Sequence, residues 1–325
     1  MPSIDEVMRT PIAMAYWLGV GAKRTGETGD DIIFLYHGTP RGVANQLERQ
    51  LRYLRRLFRL VPFAAIAASL GGSRPAGRRR QAAIIFDDGL RSNIHVAYPI
   101  LRALGIPATF FVCPGLIEER SWLWTHEARR RLQFAGPQVR AELAAELRAP
   151  ADVEPFVEWM KHLDLPARKR AEAKVREATA SFVPTGSDRE AFELADWHEL
   201  RSLDPSIVTV GSHSMTHPIL PRLSAPEIET ELRDSRSMLE AKLGRPVEFF
   251  SYPNNDADWQ TLGAVRRHYR AAVVHASGMP PDPHLLPSVH LPRGVLRLAW
   301  RMNRPAAAAA KVPGNRLNWS GTPAV

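Results

Sequence analysis

Apolar residues along this chain follow two alternating patterns. Runs of four to six, at Asp31 to Tyr36, Ala82 to Phe86 and Pro107 to Val112, read as strands covered on both faces. Between them, Leu47, Leu51, Leu54 and Phe58 recur every three or four positions with arginines interposed, which predicts a helix with one buried face. Ile94 to Leu104 predicts another helix. Strand, helix and strand from Ala82 to Val112 then make a βαβ unit of a parallel sheet.

The rhythm changes at Glu118. Over residues 118–185 the sequence is charged, Ala-rich and punctuated by Pro137, Pro150, Pro155 and Pro166, which predicts a helical insertion. Its Trp122, Trp124 and Trp159 either cover a cleft or pack within the insertion, and packing is favoured. The alternation resumes at Asp196 to Leu200, and Ile207 to Val210 predicts a strand. Ser224 and Glu227 form a capping box for a helix carrying Ile228, Leu232, Leu239 and Leu243, stopped by Gly244. Val247 to Tyr252 and Ala271 to Val274 are further strands around a helix from Asp258 to His268. The fold class expected is α/β: a distorted (β/α) barrel of about seven strands over residues 31–304, with a helical insertion. Residues 1–30 form an N-terminal extension and 305–325 an Ala- and Pro-rich tail. In such a barrel the site lies where strands end.

Composition narrows the classes. An apolar share of 45 % and a charged share of 24 % describe an ordinary globular protein. One cysteine, Cys113, rules out an intrachain disulfide and a cysteine-based zinc site. No run reaches ~20 apolar residues and the start lacks a secretory pattern, so a cytoplasmic protein is expected. The net charge of +9 is mostly arginine, gathered at Arg49 to Arg59, Arg74 to Arg80 and Arg129 to Arg131. Without interleaved aromatics or a reader motif it does not predict nucleic-acid binding. Solvated helix faces account for it, while an anionic lipid surface or acidic glycan leaves peripheral membrane association open.

Two polar clusters sit at predicted strand ends. Asp87 and Asp88 close the run Ile84-Ile85-Phe86, and Gly89 lets the backbone turn away. Gly211-Ser212-His213-Ser214-Met215-Thr216-His217 offers two imidazoles on one strand-to-loop turn. Two imidazoles and one carboxylate make an O,N,N ligand set for a single ion, with one carboxylate left for proton transfer. Each cluster alone has a bland reading, as turn former or surface pair; their shared placement favours chemistry. His37 ends a strand at the same mouth and either lines the pocket or packs in the core.

The chain resembles the polysaccharide deacetylases, the carbohydrate esterase group with the nodulation-deacetylase homology domain. The likeness is carried by Phe86-Asp87-Asp88-Gly89, by His213-Ser214-Met215-Thr216-His217, by Phe249-Phe250-Ser251-Tyr252-Pro253-Asn254 and by the stretch from Leu223 to Gly244. It implies that Asp88, His213 and His217 bind a divalent metal, usually zinc, and that Asp87 is the general base. It implies a metal-bound water as nucleophile and an oxyanion facing the metal and the backbone N–H of Asn254, with Tyr252 in the substrate pocket.

Departures bear on the base and the acid. Where many members carry an arginine that pairs with the catalytic aspartate, this chain has Ser251, and a following glycine is Asn255. Arg293 is a candidate electrostatic replacement. The motif that supplies the general acid is not clear; His290 is the nearest candidate, ahead of His275 and His284. The expected activity is removal of N-acetyl groups from an amino sugar in a polysaccharide or glycan precursor. A non-sugar amide hydrolase and a catalytically weak glycan binder are the alternatives.

Overall fold

The computed structural model describes residues 31–69, 79–274 and 282–291. The predicted extension at 1–30, the tail at 305–325, most of the Arg74 to Arg80 run, His275 and Arg293 lie outside these residues.

Eight strands run parallel: β1 Ile32–Tyr36, β2 Arg59–Leu60, β3 Gln81–Phe86, β4 Ala108–Val112, β5 Val208–Ser212, β6 Phe249–Ser251, β7 Ala271–Val274 and β8 Leu286–His290. Seven of them close in the order β1–β8–β7–β6–β5–β4–β3, and β3 pairs back onto β1 from Ile32↔Ala82 to Tyr36↔Phe86. The two-residue β2 attaches to the start of β3. The expected (β/α) barrel of about seven strands is therefore the observed architecture. β8 is the barrel strand that the hydrophobic pattern does not show. Its sequence, Leu-Pro-Ser-Val-His, carries a proline that cannot donate to a ladder and so reads as loop.

Strand side chains alternate between two cores. Ile33, Leu35, Ile85, Phe111, Phe249 and Val273 fill the barrel interior. Phe63 and Ile66, from the Phe63–Ala68 helix, join them, with the Phe63 ring edge-on to Phe111 and Phe249. Phe34, Ile84, Phe110, Val210 and Phe250 face the surrounding helices instead. Gly211 is required inside the barrel, because a Cβ there would stand 2.5 Å from the Phe111 ring.

Between β4 and β5 the chain runs through helices Pro114–Glu119, Trp124–Phe134, Pro137–Leu147, Val153–Lys161, Leu165–Ala178 and Gly186–Phe192. Trp124, Leu132, Phe156, Met160 and Val175 form a separate core there, and Ile219, just beyond the histidine cluster, packs into it. This apolar contact fixes the insertion against the barrel mouth. No described helix is long and apolar enough to cross a membrane.

Candidate functional site

The two-residue alternation that fills the barrel interior also selects the site. Stepping by two beyond Leu35, Ile85, Gly211, Phe249 and Ser288 gives His37, Asp87, His213, Ser251 and His290, all at the carboxyl ends of strands. The apolar interior therefore ends in a polar layer facing the mouth.

Asp88 breaks the alternation. On a regular strand it would face away from Asp87, but its φ of +75° puts it in the left-handed region and turns the chain back. Such a residue costs roughly 1–3 kcal/mol, a strain typical of functional turns. The β5 loop behaves alike: φ is +64° at Ser214 and +57° at His217. The loop folds on itself through Ser214 N–H to Ser212 Oγ (3.2 Å) and His217 N–H to Ser214 Oγ (3.1 Å).

These turns bring three ligand-type atoms together. His213 Nε2 lies 3.6 Å and His217 Nε2 3.7 Å from Asp88 Oδ1, and all three residues are buried. Tetrahedral bonds of about 2.0–2.1 Å would put donor atoms about 3.4 Å apart, so the donor set fits a small divalent ion. His213 Nδ1 donates to the Ser251 carbonyl at 2.7 Å, which orients the ring with Nε2 toward Asp88. Burial opposes charge on Asp88, but the His213 hydrogen bond and the fields of His37, His217 and His126 outweigh it and hold the carboxyl well below its usual range. Burial, aided by His213, pushes His217 down to about 3, so the ring is neutral as a ligand must be.

Asp87 stands beside this set in a different environment. Ser251 Oγ donates to its Oδ2 at 3.0 Å, while Oδ1 is buried with no hydrogen-bond partner among the described residues. Burial raises its pKa, against the opposing pull of His213 and His37. Ser251, at the position where an arginine was expected, thus holds a residue of each cluster: its hydroxyl binds Asp87 and its carbonyl binds His213.

An outer shell steadies the histidine loop. The Glu231 carboxylate accepts from Met215 N–H (2.8 Å), Thr216 N–H (2.9 Å) and Thr216 Oγ1 (2.6 Å). Cys113 Sγ donates to the His213 carbonyl at 3.2 Å, and Trp124 Nε1 to the His217 carbonyl at 2.9 Å. Trp124 therefore packs within the insertion and braces the loop at once, with the Arg168 guanidinium 4.8 Å above its ring. Trp122 and Trp159 pack on Phe192 and Phe156.

The remaining candidates separate. His37 and His290 stack with ring centroids 5.0 Å apart and an interplanar angle of 13°. Asn254 sits in the short turn Pro253–Asn255 after β6, its side chain donating to Asp256 at 2.6 Å. Asn254 and Asn255 have φ of +54° and +59°; asparagine tolerates that region, which explains Asn255 where a glycine was expected. Tyr252 faces the helix-side core against Phe250 and not the polar layer, because it falls on the outward step of the alternation. His284 is turned to the Tyr269 carbonyl at 2.9 Å.

One residue at the site was not legible in the sequence. His126, from the Trp124–Phe134 helix, lies close enough to act electrostatically on Asp88 and His217. Its Nδ1 is buried without a hydrogen-bond partner among the described residues, and its ring leans on Phe192. Burial lowers its pKa. No spacing rule links it to the barrel motifs, and only the docking of the insertion brings it there.

Comparison with known proteins adds a family. A family model described as polysaccharide deacetylase matches residues 74–158 and 159–272. Among solved structures, the chain is similar to the Streptococcus pyogenes deacetylase PplD in complex with acetate (TM-score 0.56, 16 % identity, 85 % of this chain and 99 % of that one). IcaB from Ammonifex degensii aligns with a TM-score of 0.55 at 16 % identity, covering 85 % and 99 %. A polysaccharide deacetylase from Bacillus cereus aligns at 0.51 and 16 %, covering 85 % of this chain and 69 % of that one. At these identities the structural likeness speaks to the fold. No curated protein matches the sequence.

Proposed function

The chain belongs to the polysaccharide deacetylase family, and on that premise we propose that it is a metal-dependent hydrolase that removes N-acetyl groups from an amino sugar in a polysaccharide or glycan precursor. The observation that carries the reading is the pairing of a buried Asp88–His213–His217 cluster with a second carboxylate, Asp87, whose environment differs from that of Asp88.

Asp88, His213 and His217 would hold the ion, for which the neutral-imidazole and carboxylate set suits zinc. When bound, it supplies Lewis-acid polarisation of the acetyl carbonyl and a lowered pKa for a water molecule. Asp87 takes the proton of the attacking water: its Oδ1 is unpartnered and its pKa is raised towards the range of a useful base. Ser251 orients that carboxylate through Oδ2, a one-bond replacement for an arginine clamp. The backbone N–H of Asn254, at the position the family resemblance implies, would serve the developing oxyanion. His290, steadied by His37, delivers the proton that the departing amine requires.

Acetate release from N-acetylglucosamine oligomers by zinc-loaded protein tests the reading. Asp87→Asn is expected to keep its metal and lose about 10²–10⁴ in kcat. Undiminished turnover in that variant would remove Asp87 from the chemistry.

A further inference from the structure

A cavity of about 390 Å³ is lined by Arg41, Arg91, Ser92, Arg189, Glu190 and Glu193 among others, and by none of the proposed ligands. Its size falls in the ~300–1,000 Å³ range of small-molecule sites. Two of its walls continue the loops that carry the chemistry. Arg41 is four residues beyond His37, and Ser92 four beyond Asp88, so each wall lies within ~14 Å of the polar layer along the chain. The loops are locked together: Thr39 N–H donates to Ser92 Oγ (3.1 Å), and Thr39 Oγ1 to the Ser92 carbonyl (3.1 Å). The third wall is the Gly186–Phe192 helix at the end of the insertion.

The charges in this cavity are unevenly matched. The Arg91 guanidinium is held by Glu199 (2.7 Å) and Glu193 (3.2 Å). His95 also leans on Glu199, at 2.5 Å. Glu190 accepts the Arg41 backbone N–H at 2.8 Å, which ties the β1 loop to the insertion helix. The Arg41 and Arg189 side chains then have no carboxylate partner among the described residues. Ser92, buried and already accepting from Thr39, has its hydroxyl proton left to give. The lining thus offers two guanidinium groups and one hydroxyl donor, while its carboxylates, Glu190 and Glu193, are engaged by the Arg41 N–H and by Arg91; arginine binds a tetrahedral oxyanion through paired N–H donors.

We propose that this cavity binds a phosphate group carried by the substrate, so that the acetylated sugar is presented from a phosphate-linked carrier. This rests on the deacetylase reading for the attached sugar; the phosphate contact itself does not. Arg41 and Arg189 anchor the phosphate while the N-acetyl group reaches the polar layer from which the two loops run.

The test uses the zinc-loaded full chain and the double variant Arg41→Gln/Arg189→Gln, neither position belonging to the catalytic set. Calorimetric titration is run with N-acetylglucosamine 1-phosphate, N-acetylglucosamine and inorganic phosphate, and KM is measured on the sugar phosphate and on a neutral oligomer. The native chain should bind the sugar phosphate at least about tenfold tighter than the neutral sugar, and the variant should lose that margin. Its KM should rise about tenfold on the phosphorylated substrate alone, with kcat and neutral-oligomer turnover preserved as evidence of folding.

Equal affinity for charged and neutral sugars in the native chain overturns the proposal, as does a variant that weakens both alike. Loss of binding to phosphatidylglycerol vesicles in the variant, with no preference among soluble sugars, also overturns it by assigning the anion to a lipid headgroup. Phosphate binding that the variant abolishes, in a protein that releases no acetate, keeps the anion site and removes the deacetylase reading. Turnover of the neutral oligomer with no phosphate effect does the reverse.

Discussion

On one side of the barrel mouth the β5 loop is held from all directions: His213 by Ser251 and Cys113, His217 by Ser214 and Trp124, and the amides between them by Glu231. On the other side, at β1 and β8, His37 and His290 meet as stacked rings. The first arrangement fixes atoms to tenths of an ångström, as a metal site demands. The second sets the two imidazole planes parallel, with centroids 5.0 Å apart. The comparison is thus between a rigid half, proposed to hold the ion, and a stacked half, proposed to deliver the proton.

The widest break in that comparison is to remove a ligand. Asp88→Ala or His213→Ala should abolish stoichiometric metal and reduce acetate release by more than the ~10–100-fold that an outer-shell change costs. Metal analysis after gel filtration is the check, and a variant that keeps one ion per chain would deny the cluster its role. On the stacked side, His290→Asn should leave metal content untouched and lower kcat by about 10², the low end for general acid catalysis. Intact kcat there would hand the proton-donor role to another group, with His126 next in line because it is buried close enough to Asp88 for each to feel the other's charge.

Both halves were unequally visible in the sequence, and the reason is physical. Asp87, Asp88, His213 and His217 sit in short motifs because their geometry is local: a left-handed turn at Asp88 and a five-residue loop from His213 to His217. A local turn leaves a local signature. Ser251 was read as a lost arginine, yet it binds Asp87 across 164 positions of sequence, a relation that no spacing rule expresses. Trp124, Glu231 and His126 reach the site only because the insertion and the Ala225–Leu243 helix pack on the mouth. β8 escaped because Pro287 masks a strand whose inward step nevertheless delivers His290.

Glu231 sharpens the rigid half in a graded way. Glu231→Ala removes the acceptor of three hydrogen bonds in the loop and should weaken metal affinity about 10–100-fold, measured by competition with a chelating dye. An unchanged affinity would show that Ser251 and Trp124 suffice to hold the loop.

The smallest effect is in pH, and it separates the acceptor from its charge. Burial raises the Glu231 pKa despite the hydrogen bonds from Thr216 and Met215. Near the ordinary value of about 4.3 the unfolded chain gives up this proton while the folded chain keeps it. The folded state then binds more protons, so Glu231's contribution to stability is fully present below that pH. It declines as pH rises to the raised folded value. In Glu231→Gln the amide oxygen can take both backbone N–H bonds, and the NH₂ can donate to Thr216 Oγ1, so the loop is kept while the titration is gone. Urea midpoints measured from pH 4 upward should therefore fall less steeply for Glu231→Gln than for the native chain, with metal affinity held within a few-fold. Parallel curves would mean that folding does not raise the Glu231 pKa, and that its part in the rigid half is that of a hydrogen-bond acceptor alone.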